Sequence, residues 1–173
     1  ADTVTMIDGA TGTINVAGGT NVVNVGDNID ISGATLAKSG TLALNLSGSG
    51  ASSVTVAAAH LKTVANSITE GTGGAKTVTV VGALTGYTIN TTIDTLALAD
   101  ATNSVTLGAA GQNITGDAGA DTVTMVTSAT GTIALGDGAN VVKIGNDFDI
   151  SGATLSKSGS GTVDINLSGD ATS

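Results

Sequence analysis

A chain of 173 residues with 40% apolar content is long enough for a core, yet one Phe, one Tyr and no Trp withhold the large side chains that fill most globular interiors. Fourteen acidic residues against five basic ones, all Lys, give a net charge of −9, which excludes the basic stripe of a nucleic-acid binder and favours cations. Without Cys there is no disulfide framework; no apolar run reaches the ~18 residues of a membrane span, and no signal peptide is expected at Ala1.

From the N-terminus, the stretch ADTVTMIDGATGTINVAGGTNVVNVGDNIDISGATLAKSG returns from Ala120 with 26 of 40 positions identical. The copy continues through Asn45-Leu-Ser-Gly and Asn166-Leu-Ser-Gly after a two-residue insertion. Residues 1–119 are therefore read as one long repeat unit and 120–173 as the first part of a second. Together they are expected to form one continuous segment cut from a longer protein.

A finer period runs inside the long one. Apolar strand centres fall at Val4, Ile14, Val23 and Ile31, and later at Leu96, Val105, Ile114, Val123, Ile133, Val142 and Ile150, about nine residues apart. Each sits in a short alternating stretch such as Thr122-Val123-Thr124, with the apolar side chain inward and hydroxyls outward. Gly, Asn and Asp cluster between the centres, as turns require. Two strand-plus-turn units make a coil of roughly 18–20 residues. The predicted fold is all-β, a parallel β-solenoid in which each coil buries its face against the next. Between the two registers, Val56–Glu70 reads either as a short helix, by its Ala and Leu content, or as another irregular coil, by Thr63, Val64, Ser67, Ile68 and Thr69. His60, the one histidine, is expected at the surface, since no second His and no Cys is present for a zinc site.

The turn Gly116-Asp-Ala-Gly-Ala-Asp121-Thr-Val123 fits the nonapeptide G-G-x-G-x-D-x-U-x except at its second position. On these residues the chain resembles the RTX (haemolysin-type) β-roll repeats, and more closely the degenerate β-strand repeats of bacterial surface-layer proteins and giant type I-secreted adhesins. The resemblance implies an extracellular or cell-surface location and export through a distant C-terminal signal. It also implies Ca²⁺ held by oxygen ligands from adjacent coils. Two residues before each strand centre, where that family places Asp, this chain has Asp2, Asn21, Asp94, Asn103, Gln112, Asp121, Gly131 and Asn140. Stacked on one edge, Asn103, Asp121 and Asn140, with Asp117 and Asp137 in neighbouring turns, are the candidate calcium ligands; the alternative is that they form structural Asx turns. A second candidate cluster is Asp27 and Asp30 beside Asn28, repeated as Asp147 and Asp149 beside Asn146, for which a solvated turn is again the alternative.

With no Arg and only Tyr87 and Phe148 as aromatics, the chain lacks the basic and aromatic platforms of solenoid polysaccharide enzymes, and no catalytic site is expected. Thr/Ser-x-Thr triplets at 3/5, 53/55, 77/79, 104/106 and 122/124 raise an ice-binding face, but their irregular spacing argues against one ordered array. The expected function is a structural repeat segment of a surface-layer or filament-forming protein, stabilised by calcium if the edge binds it. Alternatives are the stalk or ligand-contacting region of a giant adhesin and, less favoured, an ice-binding module. The expected partners are further copies, in an oligomer, lattice or filament, and cell-surface polysaccharide, with neither nucleic acid nor a membrane span.

Overall fold

The computed structural model describes residues 1–65, 67–71 and 73–167. It divides into two compact units, Ala1–Val81 and one beginning at Gly82. Each is a parallel β-solenoid. The break at Val81/Gly82 is not the sequence-repeat boundary at 119/120, which falls inside the second unit.

The first unit contains β1 (Thr3–Thr5), β2 (Gly12–Val16), β3 (Thr20–Val25), β4 (Ile29–Asp30), β5 (Ala34–Lys38), β6 (Thr41–Leu46), β7 (Ser52–Ala57), α1 (Ala58–Thr63), β8 (Ile68–Glu70) and β9 (Lys76–Val81). Its coils have three sides. One is the sheet β1-β3-β6-β8, a second stacks β4, β7 and β9, and a third pairs β2 with β5. Where a further strand on the third side would follow, α1 lies against β5, pinned by His60 (below). The Val56–Glu70 segment is thus strand, then one six-residue helix, then strand; Asn66 lies outside the described residues.

The second unit contains β10 (Thr85–Thr88), β11 (Thr95–Ala97), β12 (Asn103–Thr106), β13 (Asn113–Thr115), β14 (Asp121–Thr124), β15 (Thr132–Leu135), β16 (Ala139–Ile144), β17 (Thr154–Lys157) and β18 (Thr162–Leu167). It has two strand faces, β10-β12-β14-β16-β18 and β11-β13-β15-β17.

Coil length varies within both units. Asn103 pairs with Asp121 and Ile114 with Ile133, steps of 18 and 19 residues, as the nine-residue period requires. Thr132 to Thr154 is 22, and in the three-sided unit Ile29 to Val54 is 25. The expected 18–20 therefore holds for the shorter coils of both units, Thr3 to Val22 being 19, and is exceeded where the turns lengthen.

Alternation does the packing. β3 and β6 bury every second residue, so Val23, Val25, Leu42, Leu44 and Leu46 are inside. Leu96, Val105, Ile114, Val123, Ile133 and Val142 are all fully buried, as the register predicts. Of the other centres, Val23 is buried in β3 and Ile31 is buried outside any strand, Val4 and Ile14 are half-buried in β1 and β2, and Ile150 is half-buried outside any strand, because the turn before it delays the next strand to β17. Coil-to-coil spacing also dictates glycine. A Cβ at Gly119 would strike the Ala101 carbonyl of the preceding coil, and Gly138 needs φ +93° as well.

Candidate functional site: the polar rungs at the coil edge

Two residues before the strand centre, the side chain turns inward just where the turn carbonyls also point in. Asn21, Asn103, Asp121 and Asn140 occupy this place and all are fully buried. Their bonding repeats. Each Asn Oδ1 accepts the backbone N–H one coil back: Asp2 to Asn21 at 2.8 Å, Leu84 to Asn103 at 2.9 Å and Asp121 to Asn140 at 2.9 Å. Each Nδ2 donates to the carbonyl four residues earlier in its own turn: Ala17 at 2.8 Å, Ala99 at 3.0 Å and Gly136 at 3.1 Å. One side chain thus clips two coils together and satisfies its own turn, leaving no buried donor or acceptor dry. Gln112 does the same on the opposite edge, with Nε2 on the Asn90 and Ile93 carbonyls and Oε1 taking the Gly108 and Ala109 N–H groups.

Lys76 occupies the same place before Val78, and the sequence reading missed it. It is fully buried, and its Nζ donates to the carbonyls of Gly48 (2.9 Å), Gly50 (2.8 Å) and Gly73 (3.2 Å). Its three N–H groups meet three oxygens, a tethered cation inside a carbonyl cage. The available signal was its position two before an inward Val, after the glycine-rich stretch Gly71–Gly74.

Asp121 breaks the pattern. Its Oδ1 accepts Asn103 Nδ2 at 2.8 Å, but Oδ2 stands where the other rungs carry an amide donor, and this atom is buried with no partner. Burial pushes its carboxyl above the usual carboxylate range; the hydrogen bonds from Asn103 pull it down and the charge of Asp117 adds to the rise.

The nine expected calcium ligands are therefore not one kind of group. Asn103 and Asn140 do not fit the role, because their oxygens are spent on backbone N–H and their nitrogens face the turn carbonyls. Asp137 is half-buried and accepts the N–H of Ser160 and Gly161 in the next coil, which holds its carboxyl below the usual range. Asp30 and Asp149 accept the N–H groups of Ser32 (2.8 Å) and Ser151 (2.9 Å), two residues on, and bonds from the hydroxyl and the backbone of these serines lower both carboxyls. These are Asx turns, the alternative reading of that cluster. Asp147, at φ +57° like its counterpart Asn28, shapes the same left-handed turn, and the carboxylate of exposed Asp27 lies over Gly48. Asp117 is exposed in the turn below Asp121. Among the described residues no group of three or more His, Cys, Asp and Glu side chains is gathered. Calcium takes six to eight oxygens, and among the described residues the one buried side-chain oxygen without a partner is Asp121 Oδ2.

No family model, curated protein or solved structure matches the chain.

His60 is buried rather than at the surface. Its Nδ1 accepts the Ala57 N–H at 3.3 Å and its Nε2 meets the Ala34 carbonyl at 2.9 Å, which fits the tautomer protonated at Nε2 and fixes α1 to β5. Tyr87 is buried as well, its hydroxyl pushed up to about 12 by desolvation, while Phe148 covers Gly145. The Ser/Thr triplets align in twos: Ser53 and Thr55 on Thr77 and Thr79, Ser104 and Thr106 on Thr122 and Thr124. Thr85 and Thr88 lie on Ser104 and Thr106 one coil back, and Val141 and Lys143 end the second array on its other side. Among the described residues no helix is long and apolar enough to cross a membrane.

Proposed function

We propose that the chain is a structural repeat segment of an extracellular bacterial surface-layer or filament-forming protein, one that associates with further copies. The observation that supports this reading is how the buried polar side chains are employed. Asn21, Asn103, Asn140, Gln112 and Lys76 bond backbone across and within coils, so the chemistry of the inner edge holds the stack together. A segment built this way resists pulling and shearing and transforms nothing. Electron microscopy of the native assembly tests it. Lattices or filaments with extensive contacts between copies are the expected result; lone rods touching only at their ends, or binding a cell-surface polysaccharide, would favour an adhesin stalk.

Calcium belongs to this reading as a stabiliser of the turn carrying Asp117 and Asp121, where one buried carboxylate oxygen lacks a partner. Titrating Ca²⁺ into chelator-treated protein is expected to raise Tm by a few °C. A site of ~10⁻⁴ M at millimolar calcium contributes about 1.4 kcal/mol. The Asp121→Asn variant is expected not to respond. An unchanged wild-type melting curve up to millimolar calcium removes calcium from the reading.

A further inference from the structure

The two copies of the long repeat put the same strands into different surroundings. β14 is the sequence twin of β1, 119 residues on, and is paired on both edges, by β12 and by β16. β1 is paired by β3 and stands at the edge of its sheet. The consequence is visible in burial: Asp121 and Val123 are fully covered, whereas Asp2 is exposed and Val4 half-buried. At the other end β6 is the twin of β18, 121 residues earlier, and lies between β3 and β8. β18 is paired by β16 and is again an edge. Leu44 and Leu46 are 0% and 1% exposed, while their counterparts Ile165 and Leu167 are 56% and 75% exposed. Below β18 the core opens as an apolar cleft lined by Ile133, Leu135, Val142, Leu155, Val163 and Ile165.

Each edge therefore has a twin that accepts a parallel strand with alternating inward apolar residues. Each is also itself such a strand. We propose that β18 of one copy pairs in parallel with β1 of a second copy, Ile165 against Val4 and Leu167 against Met6, with Asp2 taking the Val163 N–H as the Asn rungs take theirs. The proposal rests on the self-associating reading above and names the surfaces that carry it. β-Strand addition supplies the backbone hydrogen bonds that edge strands lack, and closing the cleft buries the exposed Ile and Leu. The two patches differ, so the contact is heterologous, and both remain free at the ends of any assembly. Copies of charge −9 repel, so assembly strengthens as salt rises to ~0.15 M, where the screening length is about 8 Å.

Sedimentation velocity of the wild-type chain at 0.15 M salt, across a hundredfold concentration range, is compared with Ile165→Lys. Its circular dichroism spectrum checks that the variant is folded. Concentration-dependent assembly, weakened about tenfold or more by Ile165→Lys, is expected. The chain has no Cys, so introduced thiols report register without interference. Under a mild oxidant, Val4→Cys with Ile165→Cys is expected to give a ladder of disulfide-linked multimers, and Val4→Cys with Val163→Cys is not. Wild-type assembly that survives Ile165→Lys unchanged overturns the proposed edges while leaving self-association standing. Ile165→Cys alone linking to itself as fast as the pair overturns the parallel arrangement. A wild-type monomer at every concentration overturns self-association and the edges with it.

Discussion

Replacing Lys76 by Met is expected to cost more stability than any other single change at the polar rungs. Met keeps most of the stem volume and removes the ammonium, so the carbonyls of Gly48, Gly50 and Gly73 lose their shared donor inside the coil. A buried acceptor left dry costs about 1–3 kcal/mol, and hydrogen bonds to a charged group stand at the upper part of that scale. Three such carbonyls, two from the preceding coil and one from the turn of Lys76 itself, bring the total to several kcal/mol. At about 2–4 °C per kcal/mol for a chain of this size, the melting temperature falls by ~10 °C or more. Thermal unfolding followed by circular dichroism at pH 7 measures it. A drop within ~2 °C would mean that water reaches those carbonyls and that the cage is not dry.

Asp121→Asn is expected to do the opposite and stabilise the protein. Asn restores the donor that its neighbours on the ladder possess: Nδ2 would face the Asp117 carbonyl four residues back, as Asn103 faces Ala99 and Asn140 faces Gly136. The gain is the cost of the present orphan, about 1–3 kcal/mol, in chelator-treated protein at pH 7. The pH dependence follows from the direction of the shift. The Asp121 carboxyl is raised in the folded state above its ordinary value of 3.8, so the folded chain holds that proton more tightly than the unfolded chain. Its contribution is most favourable below the unfolded value and is lost as pH rises through the raised one. Asp30, Asp137 and Asp149, all lowered, act the other way: their stabilisation is present above the ordinary carboxylate value and is lost as pH falls through their lowered values. The advantage of Asp121→Asn over wild type should therefore grow between pH 4 and pH 7, since the substitution leaves the three lowered carboxylates untouched. Melting both proteins at the two pH values decides it; a constant difference would mean that the Asp121 carboxyl titrates alike in the folded and the unfolded chain.

The sequence by itself determined the class of fold and the inward side of most strands. A period of nine with β-branched centres admits little else, because only stacked short strands bury one residue in two without aromatic side chains. Hence Leu96 through Val142 are fully buried as read. It also located the edge position two residues before each centre, where Asn21, Asn103, Asp121 and Asn140 lie. What it left open was the use of that position. Asn and Asp have nearly the same shape, and in sequence both suit a cation-binding turn; whether an inward oxygen meets a metal, a backbone N–H or nothing depends on the coil before it, 18 to 22 residues away. Only the tertiary structure assigned Asn103 and Asn140 to backbone bonds and left Asp121 Oδ2 alone. For the same reason His60 read as a surface residue and Lys76 was not singled out. A long or aromatic polar side chain is placed inside only when carbonyls from other coils converge on it: those of Gly48 and Gly50 on the ammonium, and that of Ala34 on the imidazole. Convergence of residues more than twenty positions apart is a property of the stacked coils and is not written in any local stretch of chain.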